Sequence, residues 1–184
     1  MHEVLSAMKD KMEKSTESFK GELAKIRTGR ASASLLDTIK VDAYGTQMPL
    51  NQVATVTVPE SRVIAIQAWD KKLMGQIEKA IQKSDLGMNP VNDGKIIRIT
   101  IPQLTEERRK ELVKVVKKIT EDHRVAVRNC RRDAIDTLKK LKNDKELTED
   151  ELFKMQEEAQ SITDECISKI DSIMEDKEKE VMEV

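Results

Sequence analysis

Apolar residues recur at helical spacing in three long stretches, and the stretch over residues 104–141 has neither Gly nor Pro to interrupt it. On an ideal helix, Leu112, Val116, Ile119, His123, Ala126, Cys130, Ala134 and Leu141 share one face, at the three- and four-residue steps of a helix packed in a bundle. Lys110, Lys114, Lys117, Arg124, Arg128, Arg131 and Arg132 centre on another face, roughly 150° round the wheel, in a row about ten turns long. One face has a core to join. The other carries charge that needs a partner.

A first helix is predicted over residues 2–28, where Leu5, Met8, Met12, Phe19, Leu23 and Ile26 keep helical steps and Ser15 or Thr16 fills the one gap. Gly29, inside KIRTGRAS (25–32), is placed to end it in the left-handed conformation. After a turn at 142–146, Thr148 opens the third helix with a capping box to Glu151 and a Leu147–Leu152 staple. Its apolar steps run through Leu152, Met155, Ala159, Ile162, Cys166, Ile170 and Ile173 to about residue 180.

Between the first two helices the period shortens to two. All four prolines and four of the six glycines lie within 31–103. Residues 38–43 and those after Gly45 suggest a hairpin, and 54–58 and 62–69 are apolar, β-branched runs. In 96–101, Ile97, Ile99 and Ile101 alternate with outward Arg98 and Thr100. Asp70 can cap a short helix over 71–84 that buries Leu73, Ile77 and Ile81, and 85–94 reads as loop. The predicted fold class is α+β: an elongated antiparallel three-helix bundle of residues 1–29 and 105–184, with a small domain of residues 31–103 inserted. Both crossings, near 29–31 and 102–105, fall at one end of the bundle, which makes a hinge of Arg27, Gly29, Arg30, Pro102, Leu104 and Thr105.

Composition sharpens this. Charged residues make up 36% and aromatics 2%, which suits long solvated helices and argues against an aromatic platform for unstacked bases. A net charge of −1 conceals strong polarity: residues 105–142 hold 13 basic and 7 acidic side chains, residues 143–184 hold 5 and 15. Cys130 and Cys166 sit on apolar faces and read as reduced core thiols. With no signal sequence or span-length apolar run, a soluble, cytoplasmic chain is expected, acting as a monomer.

Catalytic signals are missing. No Gly-rich loop has the spacing that cradles phosphate. His123 lies on the apolar stripe, where a packed histidine is the ordinary outcome, and no second pair of ligands joins it and Cys130 in a metal site. The expectation is no enzyme activity, no metal, no cofactor and no small-molecule substrate.

The bland alternative for the basic row is a solvated face partly paired with the acidic last helix. Two features favour phosphate instead. Arg replaces Lys throughout 124–132, and its planar fork suits bidentate phosphate contacts. The row also lies away from the core, out of reach of the third helix. With so few aromatics, the ligand expected is a structured RNA read through shape and backbone. A coiled-coil adaptor or chaperone and a general structured-RNA binder remain as alternatives.

At RTGRAS (27–32), DLGMNP (85–90), LTEERRKEL (104–112) and VAVRNCRRDA (125–134), the chain closely resembles the ribosome recycling factor family, in order and at the family's spacing. The resemblance implies a three-helix bundle with an inserted β/α/β domain in an L shape. It also implies a factor that binds the large ribosomal subunit after termination. With elongation factor G and GTP, such a factor dissociates the ribosome, without a nucleotide site of its own. Carried over by motif, Arg128, Arg131 and Arg132 would face ribosomal RNA, with Arg109 on the same helix; Arg124 and Lys117 join them as candidates from the basic row itself. Arg27 and Arg30 would lie near the elbow. Ala33 stands where the family usually has Pro, and Cys130 where an aliphatic residue is commoner.

Overall fold

The computed structural model describes residues 2–183. It divides into two compact units, one holding the chain through Thr28 and again from Thr105, the other Gly29–Leu104.

The first unit is a bundle of three helices. α1 spans Glu3–Ala24, with the His2 ring nitrogen accepting from the Val4 amide at its start. α1 ends sooner than expected. The Lys25 amide turns back to the Glu22 and Leu23 carbonyls, and Gly29 takes no part in the cap. Ile26 still packs on the bundle core, so the apolar pattern outlasts the helix. Thr28 is buried and donates to Glu180 Oε1 at 2.8 Å, which draws the chain off the helical path.

Two long helices follow the inserted unit. The first long one, here αL, spans Glu106–Asn143 and begins at Thr105, whose hydroxyl accepts from the Arg108 amide at 3.2 Å. The last, here αC, spans Glu149–Met182 behind a complete Thr148–Glu151 capping box. Lys145, at φ +64, makes the tight return between them. Lys117–Glu178, Arg124–Asp171 and Arg131–Gln160 run in opposite order along αL and αC and make the pair antiparallel, and α1 packs on αL through Ser15 and His123.

The buried row of αL is Leu112, Val116, Thr120, Val127, Ala134 and Leu138. Val127 and Leu138 were not on the predicted stripe, whereas Ile119, His123, Ala126, Cys130 and Leu141 are only partly buried. From Thr120 through Val127 to Ala134 the row steps by seven, or 3.5 residues per turn, the narrow seam of helices wrapped side by side. Three threonines sit in this core without stranding a hydroxyl. Thr16, Thr120 and Thr163 donate to the carbonyls of Met12, Val116 and Ala159, four residues back, at 3.0, 2.7 and 2.7 Å.

In the inserted unit, β1 (Lys40–Ala43) and β2 (Thr46–Pro49) form a hairpin. Its two turn residues, Tyr44 and Gly45, have φ +52 and +82, as a hairpin turn matched to strand twist requires. β3 (Ala54–Glu60), β4 (Val63–Ala68), β5 (Pro90–Asn92) and β6 (Ile97–Thr100) form an antiparallel sheet in the order β3-β4-β6-β5. Asp70 accepts from the Lys72 amide at 2.9 Å and starts a 3-10 turn leading into α2 (Met74–Lys83). Ile77 and Ile81 of α2 close a core with Val41, Ile64, Ile66, Ile97 and Ile99.

β5 lies where a loop was expected. Pro90 opens it, and Val91 and Asn92 are exposed. Only β6 pairs with it, at Pro90↔Ile99 and Asn92↔Ile97. An edge strand buried on neither face has no alternation to announce it.

Candidate nucleic-acid interface

The candidate interface is built on αL. Its 38 residues hold the cations on a stiff rod at about 1.5 Å per residue, so Arg124 and Arg132 stand roughly 12 Å apart along the axis.

Each cation has its own surroundings. Arg132 is exposed and makes no hydrogen bond or ion pair among the described residues. Arg128 is half exposed and reaches Glu121 Oε1 at 3.0 Å on its own helix. Arg124 is largely shielded: Nε and Nη2 both donate to Asp171 Oδ1 on αC, at 2.9 and 2.5 Å, and Nη1 reaches Glu121 at 3.2 Å. Arg131 donates to Gln160 on αC, whose amide donates in turn to Asp164 at 2.8 Å. Lys117 lies 3.8 Å from Glu178 of the same helix. Arg109, in the second turn of αL, is partly buried.

The row therefore does reach the last helix, contrary to the expectation from the wheel. The seam through Val127 and Leu138 rotates αL so that Lys117, Arg124 and Arg131 flank the packed face, and their long stems cross to αC. The two features weighed as alternatives coexist. Arg128 and Arg132 remain open to an outside ligand, while Arg124 and Arg131 are held internally.

Glu121 and Asp171 were not picked out from the sequence. Glu121 sits three residues before Arg124 and seven before Arg128, spacing that put it on the cationic side from the start. Hydrogen bonds from Arg124 and then Arg128 hold its carboxyl below the usual carboxylate range. Asp171, chiefly, holds the Arg124 guanidinium above its ordinary value.

The predicted hinge residues fall on the two crossings. Gly29 has φ +75, and a Cβ there would come 3.2 Å from Leu104 Cγ. The Ala31 amide donates to the Ser61 carbonyl at 2.7 Å, and the Ile101 amide to that of Arg62 at 2.8 Å. The turn between β3 and β4 thus pins both crossings side by side. Arg27, Arg30, Pro102 and Thr105 are exposed, and Thr105 is the cap of αL.

His123 is a core-edge residue. Its ring lies tilted against Phe19 with centroids 5.2 Å apart, Nδ1 is 3.1 Å from Ser15 Oγ, and Nε2 is 3.3 Å from Glu22. Cys130 and Cys166 are free thiols, and burial pushes that of Cys130 up. Among the described residues, no group of His, Cys, Asp or Glu is arranged to hold a metal ion, and no helix is long and apolar enough to cross a membrane.

A family model described as ribosome recycling factor matches residues 19–182. The ribosome-recycling factor of Desulfotalea psychrophila is 62% identical over 184 residues, covering 100% of both chains. That of Bacillus subtilis is 58% identical over 182 residues, 99% of this chain and 98% of the relative. Among solved structures, a ribosome recycling factor in solution superposes with a TM-score of 0.77 at 44% identity, covering 98% of this chain and 96% of the other. A second match, with a TM-score of 0.64, 49% identity and 98% coverage of both chains, comes from models of the T. thermophilus factor and E. coli elongation factor G bound to the E. coli post-termination complex.

Proposed function

This chain belongs to the ribosome recycling factor family, and from that premise we propose that it binds the large ribosomal subunit after termination and, with elongation factor G and GTP, splits the ribosome for reuse. It is a translation factor. In this reading it has no catalytic step of its own and acts in the cytoplasm, where its substrate is the spent ribosome.

The observation that carries the assignment of roles is the cation row on αL, rigidly spaced and with Arg128 and Arg132 open to solvent. The bundle is the RNA anchor: Arg128, Arg131 and Arg132 meet ribosomal RNA, and Arg124, Lys117 and Arg109 extend the field along the helix. Affinity then comes from phosphate neutralisation, with shape complementarity choosing the site.

The inserted domain turns on the two crossings at Thr28–Gly29 and Leu104–Thr105 while the motor factor acts on it, and the stiff bundle passes the force on. Light-scattering measurement of subunit splitting tests this. With elongation factor G and GTP present, the chain should split post-termination ribosomes, and a cross-link between the two units should abolish splitting while leaving binding intact. Splitting by the cross-linked protein would overturn the lever.

A further inference from the structure

The cations of αL are interleaved with groups that already hold them. Glu121 bonds both Arg124 and Arg128, Asp171 takes two donors from Arg124, and Gln160 takes Arg131. A surface meant only to attract polyanions gains nothing from carboxylates among its arginines. A regular RNA duplex is evenly charged along its length, so laid on this row it would set phosphates against Glu121 and Asp171 as well as against the arginines. It would also have to displace Glu121 before using Arg128 fully, and both carboxylates before using Arg124.

We propose that Glu121 and Asp171 are specificity-determining residues of the RNA face, holding Arg124 and Arg128 in ion pairs that a uniformly charged RNA cannot exploit. This rests on the RNA-binding reading of αL given above. The RNA that fits spaces its phosphates onto the arginines and leaves the carboxylates unopposed, or offers them donors such as 2′-hydroxyls. Arg132, without an internal partner among the described residues, makes the first contact. The exposed Glu121–Arg128 pair is weak enough to exchange readily, whereas the shielded Arg124 is released only at a matching surface. Glu121 stays ionised at neutral pH, because both arginines hold its carboxyl low, so the repulsion is always present.

The test compares binding of Glu121→Gln, Asp171→Asn and the double variant to a random-sequence RNA duplex and to vacant large ribosomal subunits, across a salt series. Duplex binding should tighten by roughly five- to tenfold in the double variant, with a salt slope steeper by about 0.9 for each arginine released, while subunit affinity moves by less than about twofold. Glu13→Gln, the same charge change on α1, should alter neither. Equal changes toward both RNAs, no change toward the duplex, or a matching effect of Glu13→Gln would overturn the proposal. Loss of subunit binding in Arg128→Ala together with an unaltered Glu121→Gln would sink this inference but leave the RNA-binding reading standing. Full subunit binding by Arg128→Ala and Arg131→Ala would remove both.

Discussion

Arg124 holds Asp171 through two nitrogens on one oxygen, Nε at 2.9 Å and Nη2 at 2.5 Å, tying the basic helix to the acidic one. This contact reconciles a cationic face with an acidic neighbour in a chain of net charge −1. It also ties the cationic face to the packing of the bundle. With Asp171 40% exposed, solvent screens the pair. A double-mutant cycle of Arg124→Ala and Asp171→Ala in urea should give a coupling of about 0.5–1 kcal/mol that shrinks with added salt. No coupling at low salt would reduce the pair to a surface accident.

Phe19 is fully buried and carries the His123 ring against it. Phe19→Ala should cost about 3–5 kcal/mol of stability, read as a fall in the urea midpoint. A loss below about 1 kcal/mol would mean that α1 contributes little to the bundle core.

Gly29 combines a left-handed backbone with a close neighbour in Leu104. Gly29→Ala should destabilise by about 1–2 kcal/mol, and Gly29→Asn by less, since Asn tolerates this conformation although its Cβ meets the same side chain. Equal losses in thermal unfolding would place the cost on the Leu104 contact instead of the dihedral.

Acid should weaken the start of αC. The Thr148 amide, and then its hydroxyl, donate to Glu151 and hold its carboxyl below the ordinary value of 4.5. The folded value lies below the unfolded one. The stabilisation is therefore complete above about 4.5 and is lost as pH falls through the lower folded value. Glu151→Gln should flatten the acid limb of a stability-versus-pH curve, and an unchanged limb would assign the acid loss to other carboxylates.

Features that depend on near neighbours could be read from the chain. The Thr148–Glu151 box, the Asp70 cap, the Tyr44–Gly45 hairpin and the inward Ile97 and Ile99 are fixed by residues a few positions apart. What escaped depends on longer-range partners. β5 exists because β6 offers its edge, not because Pro90–Asn92 favours a strand. α1 stops at Ala24 although Ile26 keeps the apolar spacing, and Thr28 beyond its end bonds Glu180, 152 residues away. The facing of the arginines was misjudged for the same reason. A turn of the seam toward Val127 and Leu138, small on a helical wheel, decides whether Arg124 meets water or Asp171. Thus the row was legible and its internal partners were not.

In the function proposed above, αL anchors the factor to ribosomal RNA. The most direct measurement is binding to vacant large ribosomal subunits across a salt series, for the wild type, Arg128→Ala and Arg131→Ala, with helicity checked by circular dichroism. Log affinity should fall steeply with log salt, and each variant should bind more weakly with its slope reduced by roughly 0.7–0.9. Wild-type affinity and slope in both variants would contradict the claim and move the anchor off αL.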